Sequence, residues 1–128
     1  MPQSWSEISR DALQAATVLH DKHPRSSISR AYYAAFSAAV WLMWQQHGVP
    51  VAGKRETPQH REMPKLLEQL LYKKGQRISR DCRQAMRLLY NYRLNADYQS
   101  SRGHYYANDA RNARILASSV MKHCGVIP

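Results

Sequence analysis

The sequence predicts an all-α fold, an up-and-down bundle of about five helices in a single domain of residues 1–128. Three observations favour this fold. A run of fourteen residues, 31–44, contains one clearly polar residue, Ser37, and no Gly or Pro. Apolar residues elsewhere recur at helical spacing, and no stretch alternates with the period of a strand. Segments that contain Gly and Pro separate these stretches.

The run at 31–44 predicts the central helix of the bundle. It is rich in Ala, which favours a helix. A helix that is apolar almost all round is buried on most of its sides. We expect Ser26 or Ser27 to cap this helix and the helix to reach about His47. The run is too short to be a membrane span, which needs about 20 apolar residues.

Capping residues and apolar faces predict four further helices. A capping box at Ser4 and Glu7 begins the first, and Pro24 is expected to stop it. Pro64 suits the first turn of the third helix. The predicted ranges are Trp5 to about Lys22, about Met63 to Lys74, a start after Ser79 to about Asp97, and a start near Tyr105 to Asn108 with an end before Gly125.

The chain is strongly basic, with a net charge of +10 from 19 Lys and Arg against 9 Asp and Glu. This charge favours an anionic partner, which would be nucleic acid, a nucleotide or an acidic protein. Basic residues are densest between Lys73 and Arg93, where seven of them accompany one acid, Asp81. This stretch either forms a solvated face or contacts phosphates. The residues that share one face of the fourth helix are Arg80, Arg83 and Arg87.

We expect a cytoplasmic protein without a metal or cofactor. Residues 1–7 are polar and do not resemble a signal peptide. The two cysteines, Cys82 and Cys124, lie far apart, and the six histidines are scattered without metal-ligand spacing. The sequence has no Gly-rich phosphate loop and no Ser or Cys in a recognisable nucleophile setting.

Arg93 is the most informative candidate for chemistry. It falls on the apolar face of the fourth helix, where an unpaired charge is costly. Asp97 follows one turn later and can pair with it. The pair either only fixes helix packing, or Arg93 lines a cleft and meets phosphate there. Tyr32 and Tyr33 are predicted to be core residues, with Arg93 as a partner for a buried hydroxyl.

Two segments carry a resemblance to a known family. The first is Ser29-Arg30-Ala31-Tyr32-Tyr33-Ala34-Ala35-Phe36 on the second helix, and the second is Arg93-Leu94-Asn95-Ala96-Asp97-Tyr98 at the end of the fourth. Together they resemble the small stand-alone branch of the prokaryotic HEPN domain family, and the likeness spans nearly the whole chain. The resemblance implies an up-and-down helical bundle that often dimerises.

The resemblance also implies a range of functions. Many family members are metal-independent RNases, commonly toxins of toxin–antitoxin pairs or parts of defence systems. Their catalytic motif is an Arg, four to six intervening residues and a His. Other members are non-catalytic and accompany a small nucleotidyltransferase. In one toxin branch, that partner modifies a Tyr two residues beyond the His with AMP.

This sequence departs from the nuclease motif. The positions where the His could follow Arg93 hold Tyr98, Gln99 and Ser100. Arg55 and His60 have the nominal spacing, but they fall in the Pro-containing loop before the third helix, and we interpret that match as chance. A nuclease would therefore need other residues to handle protons. The candidates for its catalytic site are Arg93, Asp97, Tyr98 and His104.

Three hypotheses follow. The first is a homodimeric module that binds RNA or nucleotide and works with a nucleotidyltransferase-type partner. The second is a metal-independent RNase toxin, in which Arg93 stabilises charge on the phosphate while a ribose 2′-hydroxyl attacks it. The third is a structural interaction partner whose Arg93–Asp97 pair only stabilises the core. The residues predicted to bind the ligand are Arg30, Tyr33, Arg80, Arg83, Arg87 and Arg93.

Overall fold

The computed structural model confirms the all-α prediction. It describes residues 4–47, 58–73, 79–98 and 106–128, and the regular structure in these ranges is entirely helical. None of the described helices combines the length and apolarity that a membrane crossing requires. The elements are helix α1 (Trp5–Leu19), helix α2 (Pro24–His47), a 3-10 turn (His60–Glu62), helix α3 (Met63–Lys73), helix α4 (Ser79–Tyr98) and helix α5 (Tyr106–Cys124).

Helix α2 is the central element, as its apolar run predicts. It packs against α1, α4 and α5 and also contacts α3. Small side chains let these neighbours approach α2 closely, and the completely buried ones are Ala31, Ala34, Ala35, Ala38 and Ala39. Tyr33 departs from the pattern, because it is 38% exposed. Its side of α2 faces an open cleft, so the prediction that Tyr33 is a core residue is wrong.

The junction between α1 and α2 also differs from the prediction. Helix α1 ends at Leu19, and α2 begins at Pro24 instead of after a cap at Ser26 or Ser27. Pro suits the first turn of a helix, because the N–H that it lacks would have no helical partner there. Ser27 is buried inside α2, and its hydroxyl donates to the carbonyl oxygen of Ala16 at 2.6 Å. This serine therefore ties α2 to α1.

The beginning of α1 and the end of α5 agree with the predictions. The Ser4 hydroxyl accepts a hydrogen bond from the backbone N–H of Glu7 at 3.2 Å, which caps α1. At the other end, Gly125 has a φ of 89°, in the left-handed region that favours glycine. The N–H of Val126 then donates back to the Met121 carbonyl oxygen at 2.9 Å and closes α5.

The inward faces predicted for α3, α4 and α5 form a common core with α1 and α2. Leu66 and Leu116 on these faces are half-buried. The buried residues of these faces are Leu67, Leu70 and Leu71 on α3, Cys82, Ala85, Met86, Leu89 and Ala96 on α4, and Ala110, Ala113, Ala117 and Val120 on α5.

Candidate anion-binding cleft

An open cleft of about 1230 Å³ lies between the start of α2, the end of α4 and the start of α5. Its volume is somewhat above the range of about 300–1,000 Å³ that is typical of small-molecule and cofactor sites. Among the described residues that line the cleft, one carries a carboxylate, Asp97. The basic side chains that line the cleft outnumber this single carboxylate. They are Lys22, His23, Arg25, Arg30 and Arg93. The excess of positive charge suits an anionic ligand.

Arg93 is held in the cleft by a short chain of polar contacts. Its Nε donates to Oδ2 of Asp97 at 3.3 Å, so the contact predicted one turn apart on α4 is present. The other carboxylate oxygen of Asp97, Oδ1, accepts a hydrogen bond from the Ser29 hydroxyl at 2.7 Å. Ser29 belongs to α2, so Asp97 links the two helices while it orients the guanidinium. The side chains of Arg93 and Asp97 are 29% and 30% exposed.

Tyr32 forms the wall of the cleft next to Arg93. The guanidinium carbon of Arg93 lies 5.2 Å from the centre of the Tyr32 ring, a cation–π distance. The hydroxyl of Tyr32 lies 2.7 Å from Nδ1 of His60. This polar partner of Tyr32 was not predicted from the sequence. Burial raises the pKa of the Tyr32 hydroxyl well above its ordinary value, against the opposing charge of Arg93. Tyr32 therefore stays protonated.

His60 sits in an aromatic cluster behind the cleft. The 3-10 turn before α3 brings its ring 4.6 Å from Phe36 and stacks it on Tyr90 at 6.3 Å, measured between ring centres. Burial holds the pKa of His60 below its usual value, and the charge of Arg93 lowers it further. His60 is therefore a neutral imidazole near pH 7, hydrogen-bonded to a residue that contacts Arg93.

We expect the His60 ring to titrate below the ordinary histidine pKa of about 6.5. Removing the nearby cation in Arg93→Gln should raise the midpoint, which an NMR pH titration of the His60 ring protons measures. An unfolded chain binds this proton more readily, so the free energy of unfolding should fall as the pH drops below about 6.5. His60→Gln should flatten that part of the profile. A titration midpoint of His60 that lies above about 6.5 and does not change in Arg93→Gln would contradict the electrostatic account.

Arg25 serves the end of α4 and lines the same cleft. Its Nε donates to the carbonyl oxygen of Ala96, one of the terminal carbonyls of α4 that lack a helical partner. Its guanidinium carbon lies 5.5 Å from the centre of the Tyr106 ring at the start of α5. Arg25 thus joins α2, α4 and α5 around the cleft and adds positive charge to it.

The structure divides the predicted ligand-binding residues between different surfaces. Arg30, Tyr33 and Arg93 all line the cleft. The predicted basic face of α4 does not contribute to its lining. Arg83 forms an ion pair with Glu68 of α3, with 3.1 Å between Nη1 and Oε2. The exposed members of that face are Arg80 and Arg87.

Several predicted residues lie outside the described part of the chain. His104 is one of them, and nothing is described of the Tyr98 side chain, although its backbone ends α4. The residues of the motif comparison and of the basic stretch that fall outside are Arg55, Lys74, Arg77, Gln99 and Ser100. In the described ranges, no group of three or more His, Cys, Asp or Glu side chains could hold a metal ion.

Sequence reasoning missed two parts of the site. The first is the cluster of Lys22, His23 and Arg25, which flanks the unexpected start of α2 at Pro24. The concentration of basic residues around Pro24 was the feature of the sequence that could have indicated this cluster. The second is His60, which meets a tyrosine 28 positions earlier in the chain. No periodic pattern reports a contact over that separation.

Fold and cleft together define an all-α helical bundle with an open cleft in which basic side chains outnumber acidic ones. The sequence model of the HEPN domain matches residues 2–126, so the chain belongs to the HEPN domain family. Modules of this family generally bind or cleave RNA in toxin and defence systems, and they often dimerise. No curated protein and no solved structure matches the chain.

Proposed function

We propose that the protein is a cytoplasmic, homodimeric binding module that holds phosphate groups of RNA or a nucleotide in the cleft. It would work in a toxin–antitoxin or defence system together with a nucleotidyltransferase-type partner protein. The observation that carries the proposal is Arg93, which is oriented by Asp97 inside a cleft that also contains Arg30. Membership of the HEPN family supports RNA as the source of the phosphate.

The chemistry of Arg93 supports a ligand beyond its ion pair. A guanidinium carries five N–H donors in a planar fork, and the contact with Asp97 engages the one at Nε. Phosphate oxygens match the paired terminal donors of such a fork. The contact with Asp97 fixes the plane of the fork in advance, which lowers the entropic cost of binding. Arg30, Arg25 and Lys22 add charge around the same space.

Stability alone gives a weak reason for the Arg93–Asp97 pair. Both side chains are about 30% exposed, at 29% and 30%. Ion pairs one helical turn apart at the surface contribute only about 0.3–0.5 kcal/mol. A purely structural role would therefore gain little from a cation at this position, whereas a phosphate site gains an oriented donor. This comparison favours the binding module over the structural partner.

The binding proposal predicts a strong dependence on salt. Purified protein is titrated with fluorescently labelled single-stranded RNA and with AMP at several salt concentrations, and the dissociation constants are measured. The logarithm of the RNA association constant should fall linearly with the logarithm of salt concentration, by about 0.7 for each phosphate contacted. A flat salt response, or no binding of either ligand, would contradict the proposal.

A metal-independent RNase is the second candidate, because the structure brings a neutral imidazole close to Arg93. Arg93 would stabilise charge on the phosphate while a ribose 2′-hydroxyl loses its proton and attacks the phosphorus. The P–O5′ bond then breaks, and the 5′-oxygen takes up a proton and leaves as a hydroxyl beside a 2′,3′-cyclic phosphate. Both oxygens of Asp97 are engaged by Arg93 and Ser29, which makes Asp97 a poor proton acceptor. His60 is a neutral imidazole that lies behind Tyr32 and is not among the described lining residues of the cleft, so a proton would have to reach it through the Tyr32 hydroxyl.

The RNase candidate is tested by incubating the protein with total RNA in EDTA. Cleavage that disappears in Arg93→Gln and weakens in His60→Gln would support it. RNA that stays intact with wild-type protein excludes cleavage of free RNA and leaves the binding module. Cleavage that survives Arg93→Gln would come from another source. A partner protein is sought separately, as the protein that co-purifies with the chain from its native cells.

A further inference from the structure

A second basic groove, of about 450 Å³, lies between α3 and α4. Its floor is formed by the 3-10 turn and first turn of α3 on one side and by the middle of α4 on the other. None of the described residues that line it has an acidic side chain, and four of them are cations, namely Arg61, Lys65, Arg83 and Arg87. The groove is distinct from the cleft, since the two share no lining residue.

The four cations of the groove differ in their engagement. Arg83 is held by the carboxylate of Glu68 at 3.1 Å, so much of its charge is compensated. Nε of Arg61 donates to the side-chain oxygen of Gln59 at 3.2 Å, a neutral partner that leaves the positive charge in place. Lys65 and Arg87 are exposed on opposite sides of the groove. The groove thus presents a surplus of positive charge at a concave surface.

Helix α4 connects this groove with the cleft. Tyr90 lines the groove, and its ring centre lies 5.7 Å from that of Tyr32, which lines the cleft. Arg87 of the groove precedes Arg93 of the cleft by six residues, which corresponds to about 9 Å along the helix axis. A single phosphate group does not span this distance, so a ligand that reaches both sites carries more than one phosphate.

We propose that the groove between α3 and α4 is a second phosphate subsite, and that a single-stranded polynucleotide seated in the cleft continues past Tyr90 into it. The proposal rests on phosphate binding in the cleft and extends it to a longer ligand. A mononucleotide occupies the cleft alone. Lys65 and Arg87 contact the extended part of the strand, and Tyr90 supplies an aromatic surface between the two subsites.

The test compares a labelled single-stranded oligoribonucleotide with AMP as probes. The groove variant is Lys65→Gln with Arg87→Gln. A matched control with the same change in net charge is Arg111→Gln with Lys122→Gln, two exposed residues of α5 outside both sites. Circular dichroism verifies folding. We expect the groove variant to bind the oligonucleotide roughly tenfold more weakly than the control does, with a salt slope smaller by about 1.4 for two lost phosphate contacts. AMP binding should match the control.

Equal oligonucleotide affinities of the groove and control variants would overturn the proposal. An equal loss of AMP and oligonucleotide binding in the groove variant would also overturn it, because the groove would then not be a separate subsite. Arg93→Gln distinguishes this failure from failure of the cleft. If Arg93→Gln loses both ligands while the groove variant behaves as the control, the cleft binds phosphate and the groove does not. If Arg93→Gln loses neither, the cleft proposal itself fails.

Discussion

Replacing Arg93 by Gln is expected to weaken binding of RNA and AMP by roughly 10- to 100-fold while the bundle stays folded. Hydrogen bonds to charged groups contribute about 1.5–3 kcal/mol, which corresponds to this range. The cost in stability should stay below about 1 kcal/mol, since the ion pair with Asp97 is partly exposed. Fluorescence anisotropy measures the affinities, and chemical unfolding measures the stability.

Arg80→Gln is the matched control for this experiment. Arg80 is exposed on the same helix and lines neither the cleft nor the groove. The Arg80→Gln substitution removes the same charge as Arg93→Gln, so any loss of affinity that comes only from the lower net charge appears in both variants. Equal affinities of the two variants would show that Arg93 does not contact the ligand. If Arg93→Gln unfolds the protein and Arg93→Lys restores folding without binding, folding needs only the positive charge of Arg93, whereas binding needs its guanidinium.

The second large effect concerns the core. Leu89 of α4 is completely buried, whereas its neighbour Leu88 is 39% exposed. Leu89→Ala should lower the free energy of unfolding by about 2–5 kcal/mol, because it removes buried methyl groups and leaves a cavity. The total free energy of unfolding of a typical domain is only about 5–15 kcal/mol, so the unfolding midpoint should move to a much lower urea concentration.

Leu88→Ala deletes the same atoms from the next position and serves as the control. Because much of Leu88 is already in contact with solvent, its truncation should cost less than about 1 kcal/mol. Urea unfolding of both variants, with an unchanged denaturant slope, measures the difference. Similar losses at the two positions would mean that α4 does not turn Leu89 toward the core as the structure has it.

The sequence was informative about the fold because helical faces are local patterns. The apolar run of α2 predicted a central helix, and its buried alanines and packing on three neighbours agree with that. The helix boundary at Pro24 was missed, because a proline can end one helix or begin the next. Tyr33 was misassigned because composition cannot show which side of an apolar helix lacks a neighbour.

The site was predictable only where its contacts are local. Arg93 and Asp97 stand one helical turn apart, so their contact followed from spacing alone. The Ser29 hydroxyl that binds Asp97 and the imidazole that binds Tyr32 come from distant parts of the chain. Such contacts depend on how helices pack, which no single stretch of sequence reports. The ion pair of Arg83 is a further contact of this kind, because the packing of α3 against α4 places Glu68 beside Arg83.

The central claim is that the ligand phosphate binds in the cleft beside Arg93. The most direct measurement is an NMR titration of isotope-labelled protein with AMP, followed through the Arg93 Nε–H signal and the backbone amides. The account predicts saturable shifts of Arg93 Nε–H and of the amides of Ser29, Arg30 and Asp97, with no comparable shifts in the second half of α5. Binding of AMP that leaves these cleft signals unchanged, or a complete absence of shifts at high AMP, would contradict it.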